Sequence, residues 1–207
     1  VEGDPSPDAK AQALLILGNI SQSLGRTEQA QKEYQEIITK YDKSSAAQGA
    51  YLNLGKLQSS KGQYAEAVEN FRKTLGEKGI VDSSYVREAL MEAGNAYASM
   101  KDYTGAVRNY NLFIATFPSD TLLYDVLWKS AVVNAKAKNY KRSNELCNQL
   151  LKAERSGPLR RNALGRMALN AAEQKNFTQA VQQYEIFLEQ YPDDVSAPDV
   201  LFRIGIL

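Results

Sequence analysis

The chain has 207 residues, a formal net charge of +1 at pH 7, one cysteine and no histidine. Balanced charge gives no electrostatic reason to expect nucleic acid or an anionic membrane as partner, and no run of about 18 apolar residues exists to span a bilayer. Without histidine there is no Ser-His or Cys-His pair and no imidazole for zinc, and Cys147 alone cannot close a disulfide within the chain.

Residues 1–8 carry Pro5 and Pro7 without an apolar run, which predicts a flexible leader and not a signal peptide. Asp8 is the expected N-cap of a first helix over residues 9–24. Gly25 then supplies a left-handed turn into a second helix over 27–41. The next pair, helices over 46–60 and 64–75, turns at Lys61-Gly62 and ends in Gly76-Glu77-Lys78-Gly79, where two extra residues fit a loop.

The third pair, Met91 to Pro118, is the most regular. Gly94 and Ala106 carry almost no side chain, so two helix backbones can approach closely. Tyr97, Tyr110 and Phe113 fill the space beyond, the turn falls at Lys101-Asp102, and Pro118 stops the second helix because it cannot donate the next hydrogen bond. In the fourth pair Ala131, Ser143 and Cys147 take the equivalent places, and the only tryptophan, Trp128, lies on the first helix. Cys147 occupies a slot otherwise held by Tyr or Phe and is expected to be a buried structural thiol. Ser156-Gly157-Pro158 ends this pair with a helix stop followed by a helix start. The fifth pair closes in Tyr191-Pro192-Asp193-Asp194, where the acids are expected to cap the next helix. Ala197, Leu201, Ile204 and Gly205 open a sixth first helix, and the array is expected to continue past Leu207.

One register runs through all of this. The small residue of the first helix recurs at Gly18, Gly55, Gly94, Ala131, Ala168 and Gly205, with spacings of 37, 39, 37, 37 and 37. The small residue of the second helix recurs at Ala30, Ala67, Ala106, Ser143 and Ala180, and its larger partner at Tyr34, Phe71, Tyr110, Cys147 and Tyr184. This pattern resembles the tetratricopeptide repeat family. The resemblance implies an all-α, right-handed superhelical solenoid of antiparallel helix pairs, with repeats over 9–43, 44–80, 81–120, 121–157, 158–195 and a partial one over 196–207.

In that family the first helices line a concave groove that binds an extended or helical peptide. Carried over slot by slot, the groove would present Leu15 and Asn19, Leu52 and Lys56, Met91 and Asn95, Trp128 and Val132, and Leu169. Trp128 has little room to turn inward beside the small-residue slot and is expected to be partly exposed. One subset of the family grips the carboxylate of chaperone tails with a lysine and an asparagine on its first helix. Here Leu15 stands in the lysine slot and only Asn19 fits, so that clamp is incomplete. The resemblance thus implies a scaffold for another protein, with a peptide or helix segment as partner. The sequence leaves oligomeric state open.

Residues 121–161 hold nine Lys or Arg against three acids, and Lys136, Lys138, Lys141 and Arg142 form a candidate docking patch for an acidic partner. Nucleic acid fits less well, because the aromatics fall in core slots and are not interleaved with the bases. No catalytic constellation, phosphate loop or metal-ligand cluster is present, which points to a protein that is not an enzyme and needs no cofactor. The linkers at Tyr41-Asp42-Lys43-Ser44, Phe117-Pro118-Ser119-Asp120 and Tyr191-Pro192-Asp193-Asp194 resemble those of bacterial envelope proteins, the Tol-Pal-associated proteins and outer-membrane assembly lipoproteins. That likeness implies a periplasmic setting; a cytoplasmic one, or a regulatory or substrate-recruiting segment of a larger enzyme, is the alternative.

Overall fold

The structure, a computed structural model, describes residues 5–76, 83–153 and 157–206. Among the described residues it is all α-helix, without a strand. The helices are α1 (Pro7–Ser23), α2 (Thr27–Lys40), α3 (Ala46–Ser60), α4 (Tyr64–Leu75), α5 (Ser83–Ser99), α6 (Tyr103–Thr116), α7 (Leu123–Lys136), α8 (Tyr140–Ala153), α9 (Pro158–Glu173), α10 (Phe177–Gln190) and α11 (Ala197–Gly205). None of them is long and apolar enough to cross a membrane.

The turns inside the pairs share one chemistry. Gly25, Gly62, Lys101, Lys138 and Lys175 all have φ between 61° and 76°. In each, the following amide reaches back to the carbonyl five residues earlier, from Arg26 to Ser21, Gln63 to Gln58, Asp102 to Tyr97, Asn139 to Asn134 and Asn176 to Ala171, at 2.8–2.9 Å. This satisfies a carbonyl that the helix end would otherwise leave unpaired. Gly25 is the left-handed residue that its position in the sequence requires; the three lysines adopt the same conformation at a steric cost. The next helices start on caps where the sequence supplies one. Asp102 Oδ1 accepts from Gly105 N at 2.9 Å, and Asn176 Oδ1 from Gln179 N at 3.2 Å.

Two expectations about caps are corrected. Ser6, not Asp8, caps α1, accepting from Ala9 N at 3.2 Å. Asp8 lies in the first turn and accepts instead from the Ser45 amide at 3.0 Å, tying α1 to the start of α3. Asp194 does not cap α11 either; it accepts from the amide and hydroxyl of Ser196, the residue before that helix, and pairs with Arg161. Of the loop expected to absorb the extra residues, Gly76 has φ 70° and Gly79 lies outside the described residues, as does Ser156.

The chain forms two compact units, residues 1–109 and 110–207. In the first, α1 pairs with α2 and α3 with α4, while α2 packs on α3 and α4 on α5. Its core holds Ala11, Leu15, Ala30, Tyr34 and Ile37, then Leu52, Ala67, Phe71, Ala89 and Ala93. A Cβ at Gly18 would stand 2.4 Å from the Tyr34 ring, and one at Gly55 would stand 2.7 Å from Phe71. The missing side chain is what lets each aromatic lie flat on the facing backbone. Burying each such aromatic stabilises by roughly 1.5–3 kcal/mol.

In the second unit α7 pairs with α8 and α9 with α10, while α8 packs on α9 and α10 on α11. Leu127, Ala131, Leu146, Cys147, Leu150 and Ala163 form one core, and Leu164, Ala168, Tyr184, Phe187 and Val200 another. Ala131, Ser143 and Cys147 are all fully buried, so the slots that depart from the usual residues still face inward.

Candidate functional site

The residues singled out on the first helices separate into buried and accessible ones. In the first unit Leu15 is 5% exposed and Leu52 1% exposed, so neither presents a surface to a partner. Leu15 packs in the α1–α2–α3 core and Leu52 against the residues of α4 and α5. Asn19 is exposed, but its Oδ1 accepts from the Tyr34 hydroxyl at 2.9 Å and from Asn53 Nδ2 at 2.8 Å, linking α1, α2 and α3. Lys56 spans from α3 to α5 through Glu88 at 2.7 Å. Met91 and Asn95 are half-buried, and Asn95 Nδ2 donates to Glu92 at 3.2 Å.

In the second unit the structure brings Trp128, Val132 and Leu169 together. They line a groove of about 500 Å³ between the first helices α7, α9 and α11. Arg161, Asn162, Gly165 and Arg166 of α9 join them, with Asp194, Val195 and Ser196 from the preceding loop and Asp199, Val200 and Arg203 of α11. Tyr184 and Phe187 of α10 form the floor, both nearly fully buried. The apolar part of the lining therefore comes from four helices, and the polar part forms its wall.

That wall was not read from the sequence. Asp194 and Arg161 are 33 residues apart and meet at 2.9 Å. The Asp194 side chain is only 9% exposed, and the Ser196 hydroxyl and amide, then Arg161, hold its carboxyl down at about 2. Arg203 Nε donates to Asp199 at 2.7 Å, and the hydroxyl of Tyr184 is hydrogen-bonded to Arg203. Arg166 Nη2 donates to Glu173 at 3.0 Å. A signal for part of this was present: Asn162 and Arg166 precede the small-residue slot Ala168 by six and two residues, and Asp199 and Arg203 stand in the same relation to Gly205.

The basic residues of the fourth pair lie elsewhere. Lys136 is the last residue of α7, Lys138 the turn residue, and Lys141 and Arg142 open α8. The three lysines are exposed, whereas Arg142 pairs with Glu145 at 3.0 Å. Cys147 is fully buried, and burial pushes its thiol up to about 12, which keeps it protonated and unreactive. Among the described residues no group of three or more potential ligands is arranged to hold a metal ion.

Models of the tetratricopeptide repeat match residues 12–44, 88–120 and 163–194, and a second model of the same repeat matches 48–77, together more than half of the chain. Among curated proteins none matches significantly in sequence. Solved structures share the fold. A tetratricopeptide repeat protein from Parabacteroides merdae ATCC 43184 is 15% identical with a TM-score of 0.73, over 95% of this chain and 74% of that one. YrrB, described as a tetratricopeptide repeat protein with an unusual peptide-binding site, is 15% identical with a TM-score of 0.72, over 94% and 98%. MamA from Desulfovibrio magneticus RS-1 is 14% identical with a TM-score of 0.70, over 91% and 99%. The matched repeats and the period of the helix pairs agree: this chain belongs to the tetratricopeptide repeat family.

Proposed function

We propose that the chain is a non-catalytic interaction scaffold that binds a peptide or helix segment of another protein in the groove between α7, α9 and α11. The observation that carries this reading is the clustering of Trp128, Val132 and Leu169 in one groove with charged walls. Its volume of about 500 Å³ suits a few side chains of a bound segment. A large aromatic anchor with polar surroundings is the composition that concentrates binding energy at protein interfaces. The peptide-binding site named for YrrB, a protein of the same fold, supports the same class of partner. In the first unit Asn19, Lys56, Met91 and Asn95 offer a further accessible set on the first helices. The linker likeness supports a place in a bacterial envelope assembly in the periplasm, which fractionation of the source cell tests directly.

The single tryptophan makes the groove its own reporter. A segment seated there changes the intrinsic emission of Trp128, and Trp128→Ala weakens binding by about 2 kcal/mol, roughly thirtyfold, without a matching loss of melting temperature. Partner binding at full strength by folded Trp128→Ala would overturn the groove reading.

A further inference from the structure

Three first helices meet at the groove, and they carry the same two positions in register. In α7 these are Asp125 and Lys129, in α9 Asn162 and Arg166, and in α11 Asp199 and Arg203, each set 37 residues from the next. Residues four apart lie on one helix face, so an acid there neutralises the cation that follows. Asp125 does so for Lys129 at 2.9 Å, and Asp199 for Arg203 at 2.7 Å. In the central helix the acid is replaced by the neutral Asn162. Arg166 turns one nitrogen to Glu173, further along α9, and its Nε, buried, has no acceptor.

The groove lining consequently holds three arginines against two aspartates. Arg161 is matched by Asp194 and Arg203 by Asp199, whereas Arg166, whose side chain is 14% exposed, pairs with Glu173 outside the groove lining and keeps a buried Nε without an acceptor. A buried guanidinium N–H without an acceptor is costly, and a carboxylate is the acceptor that best matches its charge and fork. Asn162, unlike an aspartate, can also donate from its amide to such a group.

We infer that the bound segment places a carboxylate side chain on Arg166 and Asn162 while an adjacent apolar side chain packs on Trp128, Val132 and Leu169. The inference rests on the groove reading above and names the chemistry of its ligand, an acidic-apolar peptide. Its position differs from the lysine-asparagine clamp whose lysine slot is filled here by Leu15.

A random 12-residue phage-displayed peptide library selected on the whole protein tests it. Selected peptides should carry Asp or Glu close to an aliphatic or aromatic residue. Synthetic copies should quench or shift Trp128 emission, and replacing the acid by its amide should weaken binding by about tenfold, the scale of one charge-assisted hydrogen bond. Asn162→Asp restores the acid found in both neighbouring helices, so it should fold as the wild type does and lose that tenfold preference. Arg166→Gln should lose it too, and Glu173→Gln, which releases Arg166, should enlarge it. Acid and amide peptides that bind alike overturn the carboxylate site and leave the groove reading standing. A preference that survives both Asn162→Asp and Arg166→Gln overturns the assignment to these residues. Selected peptides that leave Trp128 emission untouched overturn the groove reading and the carboxylate site together.

Discussion

Single residues in this fold are governed by what covers them. Cys147 fills a slot held by Tyr34, Phe71, Tyr110 and Tyr184 in the other pairs and is fully buried. Its raised pKa of about 12 means that folding favours the thiol over the thiolate. A raised acid contributes stability that is complete below its unfolded value, near 8.5, and that falls as pH climbs toward the folded one. An aromatic disulfide reagent at pH 8 should accordingly leave native Cys147 unmodified and consume one thiol per chain after denaturation; rapid reaction of the native protein would contradict the burial. Asp194 runs the other way. Its carboxyl is held at about 2 by Ser196 and Arg161, so its contribution is present above the usual carboxylate range and lost as pH falls from about 4 toward 2. Asp194→Asn should melt below wild type at pH 7, with the gap narrowing through that acid window. An unchanged gap would mean that Asp194 owes its stabilising role to something other than its charge.

At the scale of the element, close backbone approach and left-handed turns decide what each slot tolerates. Gly18→Ala and Gly55→Ala would push a methyl into Tyr34 and Phe71, rings that are fully buried and cannot yield. Each should destabilise by roughly 1–3 kcal/mol in denaturant titrations. Gly165 is also inside a helix, α9, but a Cβ there meets nothing within 4 Å. Gly165→Ala should instead stabilise by about 0.5–1 kcal/mol, by restricting the unfolded chain. If all three behaved alike, close packing would not distinguish these sites. The turn lysines offer the converse test. Lys101→Gly and Lys175→Gly relieve a positive φ and should each raise stability by about 0.5–1 kcal/mol.

Across the whole molecule, two surfaces compete for the role of binding face: the groove around Trp128 and the basic residues Lys136, Lys138, Lys141 and Arg142. They separate by kinetics. Charges at the edge of an interface mainly steer encounter, whereas a buried aromatic anchor governs how long a complex lasts. Reversing Lys141 and Arg142 to glutamate should change the association rate and its salt dependence, and Trp128→Ala should speed dissociation. The opposite pattern in surface-based kinetics would move the functional face to the start of α8.

The repeat architecture could be read from the sequence because it is written locally. Small residues at fixed spacing, a glycine at Gly25 and a proline at Pro118 act through their own backbone chemistry, and a 37-residue period repeats the same local instruction. Trp128, Val132 and Leu169 could be assigned to one groove on the same basis, by slot. The sequence did not determine which slots stay open. Leu15 and Leu52 occupy the same slot as Trp128, yet they are covered, because exposure depends on how closely the neighbouring helices lie over each position. Nor could spacing reveal that Arg161 meets Asp194, or that Asp8 ties α1 to Ser45 instead of capping its own helix, since each contact joins residues more than 30 apart. Only the packing of α7, α9 and α11 sets Asn162, the neutral counterpart of Asp125 and Asp199, beside the groove on the same helix as Arg166, whose buried Nε has no acceptor.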